Sequence, residues 1–199
     1  MRAAGGRETY GVTGREPDAP ADPVIRLART DDAETIGDLH VRSWQAAYAG
    51  IVPASVLDRL SPDRRARFWS EAIARQLVNP GSERTWVIEE DRQVVGFASS
   101  GKARDDDLSE GTGELHAIYL APEAWSRGLG GRLLEHAVME LEALKLDPLV
   151  LWVIATNERA RGLYERYGWR PDGARRPLDF DGTPVDEIRY RRVMGTPDR

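Results

Sequence analysis

The stretch Leu120 to Leu134 reads Leu-Ala-Pro-Glu-Ala-Trp-Ser-Arg-Gly-Leu-Gly-Gly-Arg-Leu-Leu and joins an apolar run to an amphipathic one. Gly128, Gly130 and Gly131 carry no Cβ, so a ligand can come close to the backbone there. A helix that starts at these glycines has first N–H groups without intrahelical acceptors. With the positive end of the helix dipole they make an anion site suited to a pyrophosphate. Arg127 can add a charge-assisted contact. Two other phosphate motifs do not fit. A dinucleotide fingerprint needs glycine where Leu133 stands, and the chain contains no Gly-Lys-Ser or Gly-Lys-Thr. The alternative is a turn that only packs a helix on a sheet.

The elements around this turn follow from periodicity. Val24 to Ala28 reads as a strand, and Thr30-Asp31-Asp32 supplies cap and first-turn acids for a helix carrying Ile36, Leu39, Ser43 and Ala47 at helical spacing. Gly50 ends that helix. Ser61-Pro62-Asp63 starts another, with Phe68, Ala72 and Leu77 as its expected buried face. Thr85 to Glu89 and Gln93 to Ser99 form a hairpin around Glu90-Asp91-Arg92, and Lys102 to Thr112 is a loop. Glu114 to Leu120 is a strand, Gly128 to Leu144 an amphipathic helix, and Leu149 to Ala155 a strand covered on both faces. Residues 157 to 167 form a helix. Asp172 to Phe180 and Val185 to Val193 are strands joined across Asp181-Gly182. The order β, α, α, β, β, β, α, β, α, β, β predicts one α/β domain, of α+β type, over residues 23–194. Its sheet is mixed and mostly antiparallel, flanked by helices. Residues 1–22, rich in Gly, Pro, Ala and charge, are expected to be a disordered leader, and 195–199 a short tail.

Composition narrows the classes. A chain of 199 residues with 41% hydrophobic and 31% charged residues is long enough for one real core. It has no cysteine, so disulfides and thiolate metal sites are excluded. The net charge of -5 matches poorly the cationic surface that nucleic acid attracts, so a nucleic-acid partner is not expected. No run approaches the roughly 20 apolar residues of a membrane span. The N-terminus lacks the apolar region of a secretory signal. A cytoplasmic protein without a membrane partner is expected.

Two segments resemble a known family. Residues 125–130 resemble the R/Q-x-x-G-x-G/A signature of the GNAT acetyltransferases, with Arg127, Gly128, Leu129 and Gly130 in place and Trp125 where Gln or Arg is usual. Asn157 to Trp169 resembles the family's N-x-x-A-x-x-x-Y-x-x-x-G-F segment through Asn157, Ala160, Tyr164 and Gly168, with Trp169 for Phe. The resemblance covers roughly residues 23 to 194. It implies a GNAT fold, acetyl-CoA as co-substrate with no metal, and N-acetyltransfer to a primary amine of a small molecule by direct attack in a ternary complex. Alternatives within that fold are a protein or aminoacyl-tRNA acetyltransferase, or a non-catalytic acyl-CoA-binding module.

That chemistry needs a neutral amine, a donor for the oxyanion and an acid for the departing thiolate. The resemblance puts Tyr164 at the catalytic tyrosine, and a phenol with pKa near 10 is protonated at neutral pH. Glu114 falls where the histone acetyltransferase branch has its glutamate. His116, two residues on, is the alternative base, and neither is the third option. Ile118, Tyr119 and Leu120 would pair with the pantetheine arm through their main chain. Ser126, Arg127, Gly128, Leu129, Gly130 and Gly131 would take the phosphates, and Asn157 and Ala160 the arm. Asn157 is also an ordinary N-cap candidate. Trp44 and Tyr48 are expected near the acceptor, where aromatics can hold an alkyl or cationic amine. Asp105-Asp106-Asp107 reads as a solvated acidic loop. A homodimer is open to the chain, because two hairpins can leave sheet edges to pair.

Overall fold

The structure, a computed structural model, describes residues 22–79, 81 and 83–193. The expected leader, apart from Asp22, and the expected tail lie outside these residues. Seven strands form one sheet: β1 (Val24–Leu27), β2 (Glu83–Glu90), β3 (Gln93–Lys102), β4 (Gly113–Leu120), β5 (Leu149–Ile154), β6 (Arg170–Phe180) and β7 (Thr183–Arg192). Their spatial order is β1-β2-β3-β4-β5-β7-β6. All neighbours are antiparallel except β4 and β5. Both hairpins turn through backbone with positive φ: Asp91 (47°) and Arg92 (65°) in one, Asp181 (54°) and Gly182 (83°) in the other. Such turns match the right-handed twist of the strands they join. Among the described residues β1 and β6 are the outermost strands, so the β2–β3 hairpin is interior and offers no free edge, contrary to expectation.

Helices α1 (Ala33–Ala47), α2 (Ala54–Asp58), α3 (Pro62–Val78), α4 (Leu129–Ala143) and α5 (Glu158–Arg166) complete the fold. Alternation along the strands separates the layers. Phe97 meets His40 of α1 and Trp69 of α3 at 5.7 and 4.8 Å between ring centroids. Trp86, one pleat away, meets His136 of α4 at 4.5 Å. So α1 and α3 cover one face and α4 the other, with α5 beside α4. Leu133, Leu134, Ala137, Val138 and Leu141 of α4 are all buried. Each such leucine contributes about 1.5–3 kcal/mol by leaving water.

Helix α3 starts as expected, with the Ser61 hydroxyl accepting the Arg64 N–H at 3.3 Å. Its buried stripe, however, is Trp69, Ala72, Ile73 and Gln76, while Phe68 and Leu77 are exposed. The true stripe has i, i+3, i+4, i+7 spacing. Gln76 belongs to it because its amide bridges main chain: it donates to Ala28 O and accepts from Thr85 N, both at 2.8 Å. That polar buried residue hides the phase. The five-residue α2 was not foreseen.

Candidate active site

Strands β4 and β5 pair only over Gly113–Leu115 and Leu149–Leu151, and then diverge. Beyond that point, residues 116–120 have no strand partner on the β5 side. A cavity of about 320 Å³ opens at the divergence, within the range of small-ligand sites. Its walls come from β4, β5, the turn before α4, α5, α1 and the β6–β7 hairpin.

The glycine turn lies at one end. Ser126 (φ 61°) and Gly128 (φ 81°) both take left-handed backbone; the glycine does so freely, whereas the strain at Ser126 is of a kind concentrated at functional sites. The N–H groups of Gly131 and Arg132 bond to Gly128 O at 3.1 and 3.2 Å. Those of Leu129 and Gly130 find no main-chain acceptor among the described residues, and no side chain caps the helix. Ser126, Gly128, Gly130 and Gly131 line the cavity. Gly131 has a packing reason as well: a Cβ there would lie 1.9 Å from the Tyr167 hydroxyl.

Arg127 and Leu129 do not line the cavity. Arg127 donates to Glu90 at 2.8 Å, and the Leu129 side chain is buried in the core. Two arginines of α5 that sequence reasoning missed, Arg159 and Arg166, line the cavity instead. Arg159 lies 4.3 Å above the centroid of the Trp125 ring, whose N–H donates to Leu120 O at 3.0 Å.

Ile118, Tyr119, Leu120, Asn157, Ala160 and Tyr164 all reach the cavity. Asn157 caps α5, with Oδ1 accepting the Ala160 N–H at 3.1 Å, which leaves its amide NH₂ uncommitted. The Tyr164 hydroxyl has no hydrogen-bond partner among the described residues. Burial raises its pKa above the ordinary value, as it does for Tyr119 and Tyr48. All three phenols are therefore neutral at pH 7. Tyr119 is backed by the stacked ring of His40, 4.7 Å between centroids.

Glu114 and His116 also line the cavity. Strand β4 is not regular there: Ser99 pairs with Ala117 and Ser100 with Leu115, so His116 is the extra residue of a β-bulge. Glu114 Oε2 accepts the Arg104 N–H at 3.0 Å, and Oε1 carries no hydrogen bond among the described residues. His116 Nε2 lies 3.1 Å from Lys102 O and Nδ1 lies 3.2 Å from Arg104 Nη2. The carbonyl can only accept and the guanidinium only donate. Both ring nitrogens are therefore occupied, and Glu83 Oε1 also lies 3.6 Å from Nδ1.

Trp44 and Tyr48 line the cavity too, as do Trp152, Leu178, Arg176 and Glu187. The last four were missed. Arg65 stands 5.7 Å from the Trp44 ring centroid, and Arg176 4.2 Å from that of Trp152. The acidic loop is not merely solvated. Asp105 accepts from Trp152 Nε1 at 2.9 Å, and Asp105 and Asp107 both take N–H groups of the buried Arg189. Among the described residues no cluster of His, Cys, Asp or Glu is arranged to hold a metal, and no helix is long and apolar enough to cross a membrane.

Comparison with known proteins agrees with this geometry. Residues 39–169 match the family described as Acetyltransferase (GNAT) family. A probable N-acetyltransferase of Mycobacterium tuberculosis is 27% identical over 183 residues, 89% of this chain and 98% of that protein. Among solved structures, the PaiA N-acetyltransferase of Thermoplasma acidophilum in complex with coenzyme A superposes with a TM-score of 0.71 at 19% identity, covering 87% of this chain and 100% of that one. The YncA protein of Salmonella typhimurium, solved with its cofactor acetyl-CoA, gives 0.66 at 25% identity, covering 89% and 99%.

Proposed function

Since the chain belongs to the acetyltransferase (GNAT) family, we propose that it transfers an acetyl group from acetyl-CoA to the primary amine of a small molecule, by direct attack within a ternary complex. The observation that carries this reading is the meeting, in one cleft, of three features. These are the unpaired edge of β4, the open N–H groups before α4 and the unpartnered Tyr164 hydroxyl. The residues fit the donor. The free N–H groups of Leu129 and Gly130 suit a pyrophosphate, Arg159 adds a positive charge, and the main chain of Ile118, Tyr119 and Leu120 suits an amide-bearing arm. Asn157 can donate its spare NH₂ to the same arm.

When bound, acetyl-CoA supplies the thioester carbonyl that the amine attacks. Tyr164 holds a proton at its hydroxyl for the departing sulfur, and burial keeps that proton in place. Glu114 takes the proton of the incoming amine, directly or through water, at its unbonded Oε1. The occupied nitrogens of His116 support Glu114 over His116 as the base. Trp44 and Tyr48 wall the acceptor.

Isothermal titration with acetyl-CoA, followed by thiol detection of released CoA over a panel of amines, tests the reading. Tight binding with amine-dependent release supports it; a chain that binds no acyl-CoA would sink it.

A further inference from the structure

Resting on the transfer reading above, the geometry points to an acceptor that carries a carboxylate as well as its amine, a zwitterion of the amino-acid class. Arg176 would receive the carboxylate, and Glu187 would face the ammonium.

The argument starts from the register of the β6–β7 hairpin. Counting outward from the Asp181-Gly182 turn pairs Phe180 with Thr183 and brings Arg176 opposite Glu187. Arg176 Nε donates to Glu187 Oε2 at 2.7 Å, and Nη2 lies 2.7 Å from the same oxygen. Nη1 is 3.8 Å from Asp105 Oδ1, beyond hydrogen-bond reach, and donates to no described residue. The guanidinium carbon lies over the Trp152 ring, 4.2 Å from its centroid. The Trp152 ring is itself pinned by its N–H bond to Asp105, which Arg189 holds in turn. A flat, pre-oriented guanidinium with its Nη1 edge open, 45% exposed and lining the cavity, is a carboxylate receptor.

The opposite charge stands beside it. Glu187 Oε1 makes no hydrogen bond among the described residues, and Glu114 Oε1 is open on β4. One cation and two carboxylates on the acceptor wall complement a zwitterion. They suit a polyamine less well, because a second ammonium would face Arg176. Nor do the indoles offer a cage for a bare cation: Arg65 attends Trp44, and Arg176 attends Trp152. The remaining lining, Tyr48, Ile154 and Leu178, suits an apolar side chain.

The test is CoA release with the twenty standard L-amino acids, each amine that the apolar ones give on losing their carboxylate, and a set of polyamines. At least one apolar amino acid should exceed its carboxylate-free amine by tenfold or more in kcat/KM. In Arg176→Gln that preference should shrink to near one, with the acetyl-CoA dissociation constant as the check on folding. Equal or better turnover of the carboxylate-free amines or polyamines overturns this inference and leaves the transfer reading standing. A preference that survives Arg176→Gln overturns the role of Arg176. Release of CoA with no acceptor at all overturns both.

Discussion

The guanidinium of Arg159 lies over the Trp125 indole, 4.3 Å from its centroid, and the indole N–H is tied to Leu120 O. Trp125, the position that departs from the R/Q-x-x-G-x-G/A signature, is thus a platform here. The cation arrives from α5, thirty-four residues away along the chain.

Arg159→Ala is expected to raise the acetyl-CoA dissociation constant about five- to tenfold, the loss of about 1 kcal/mol for one partly solvated phosphate contact. Arg127→Ala, whose guanidinium is held by Glu90 outside the cavity, should change it by less than about twofold. Titration calorimetry reads both, and the reverse order would return the phosphate role to Arg127.

Tyr164→Phe is expected to lower kcat about 100-fold while leaving acetyl-CoA affinity unchanged, since only proton donation is removed. Burial raises the Tyr164 pKa, so the neutral, donating form extends above its ordinary limit near pH 10. No loss of rate below pH 10 should trace to this phenol. Steady-state rates from pH 6 to 10, for both proteins, decide the point.

His40 accepts the Trp69 N–H at 3.0 Å, and burial holds its pKa down at about 3. Between pH 6.5 and 3 the unfolded chain binds a proton at this residue that the folded chain does not. Stability is therefore fully present above pH 6.5 and falls as pH drops, by about 1.4 kcal/mol per pH unit for one such group. His136, also lowered by burial, adds in the same direction. Asp32, held below the usual carboxylate range by Arg26, adds its loss only near and beneath pH 3.8. Denaturant melts at pH 7, 6 and 5 should show the decline, and His40→Gln should flatten it.

Gly131→Ala should destabilise the fold by about 1–3 kcal/mol, because its Cβ would drive into the Tyr167 ring and part α4 from α5. Gly130→Ala, whose Cβ would meet the flexible end of Leu120 at 3.2 Å, should cost less. Paired thermal melts compare them.

Much of this was readable beforehand, and the misses have causes. The glycine turn and the Asn157 to Trp169 segment were legible because each is local: its function depends on backbone shape within one loop or helix. Strand order around the hairpins followed from turn chemistry. The phase of α3 was misread because Gln76, polar by type, is buried by two main-chain bonds. The bulge at His116 left no mark, since alternation of Glu114, Leu115 and His116 reads the same with or without it. Arg159 and Trp125 meet only in three dimensions. Arg176 and Glu187 do carry a signal in the sequence, because counting back from the Asp181-Gly182 turn pairs them.

The three-residue ladder between β4 and β5 also has a mechanical consequence. It ties two boards of a sheet at one end, like a stiff hinge. Tyr119 belongs to one board; Trp152 and Glu187 belong to the other, and Tyr164 rides on the helix that follows β5. A small rotation about Gly113–Leu115 is magnified at the far end, where Tyr119 and Leu120 line the cavity. Core side chains under those three pairs, such as Leu149 and Leu151, thereby set the width of a gap that neither of them lines.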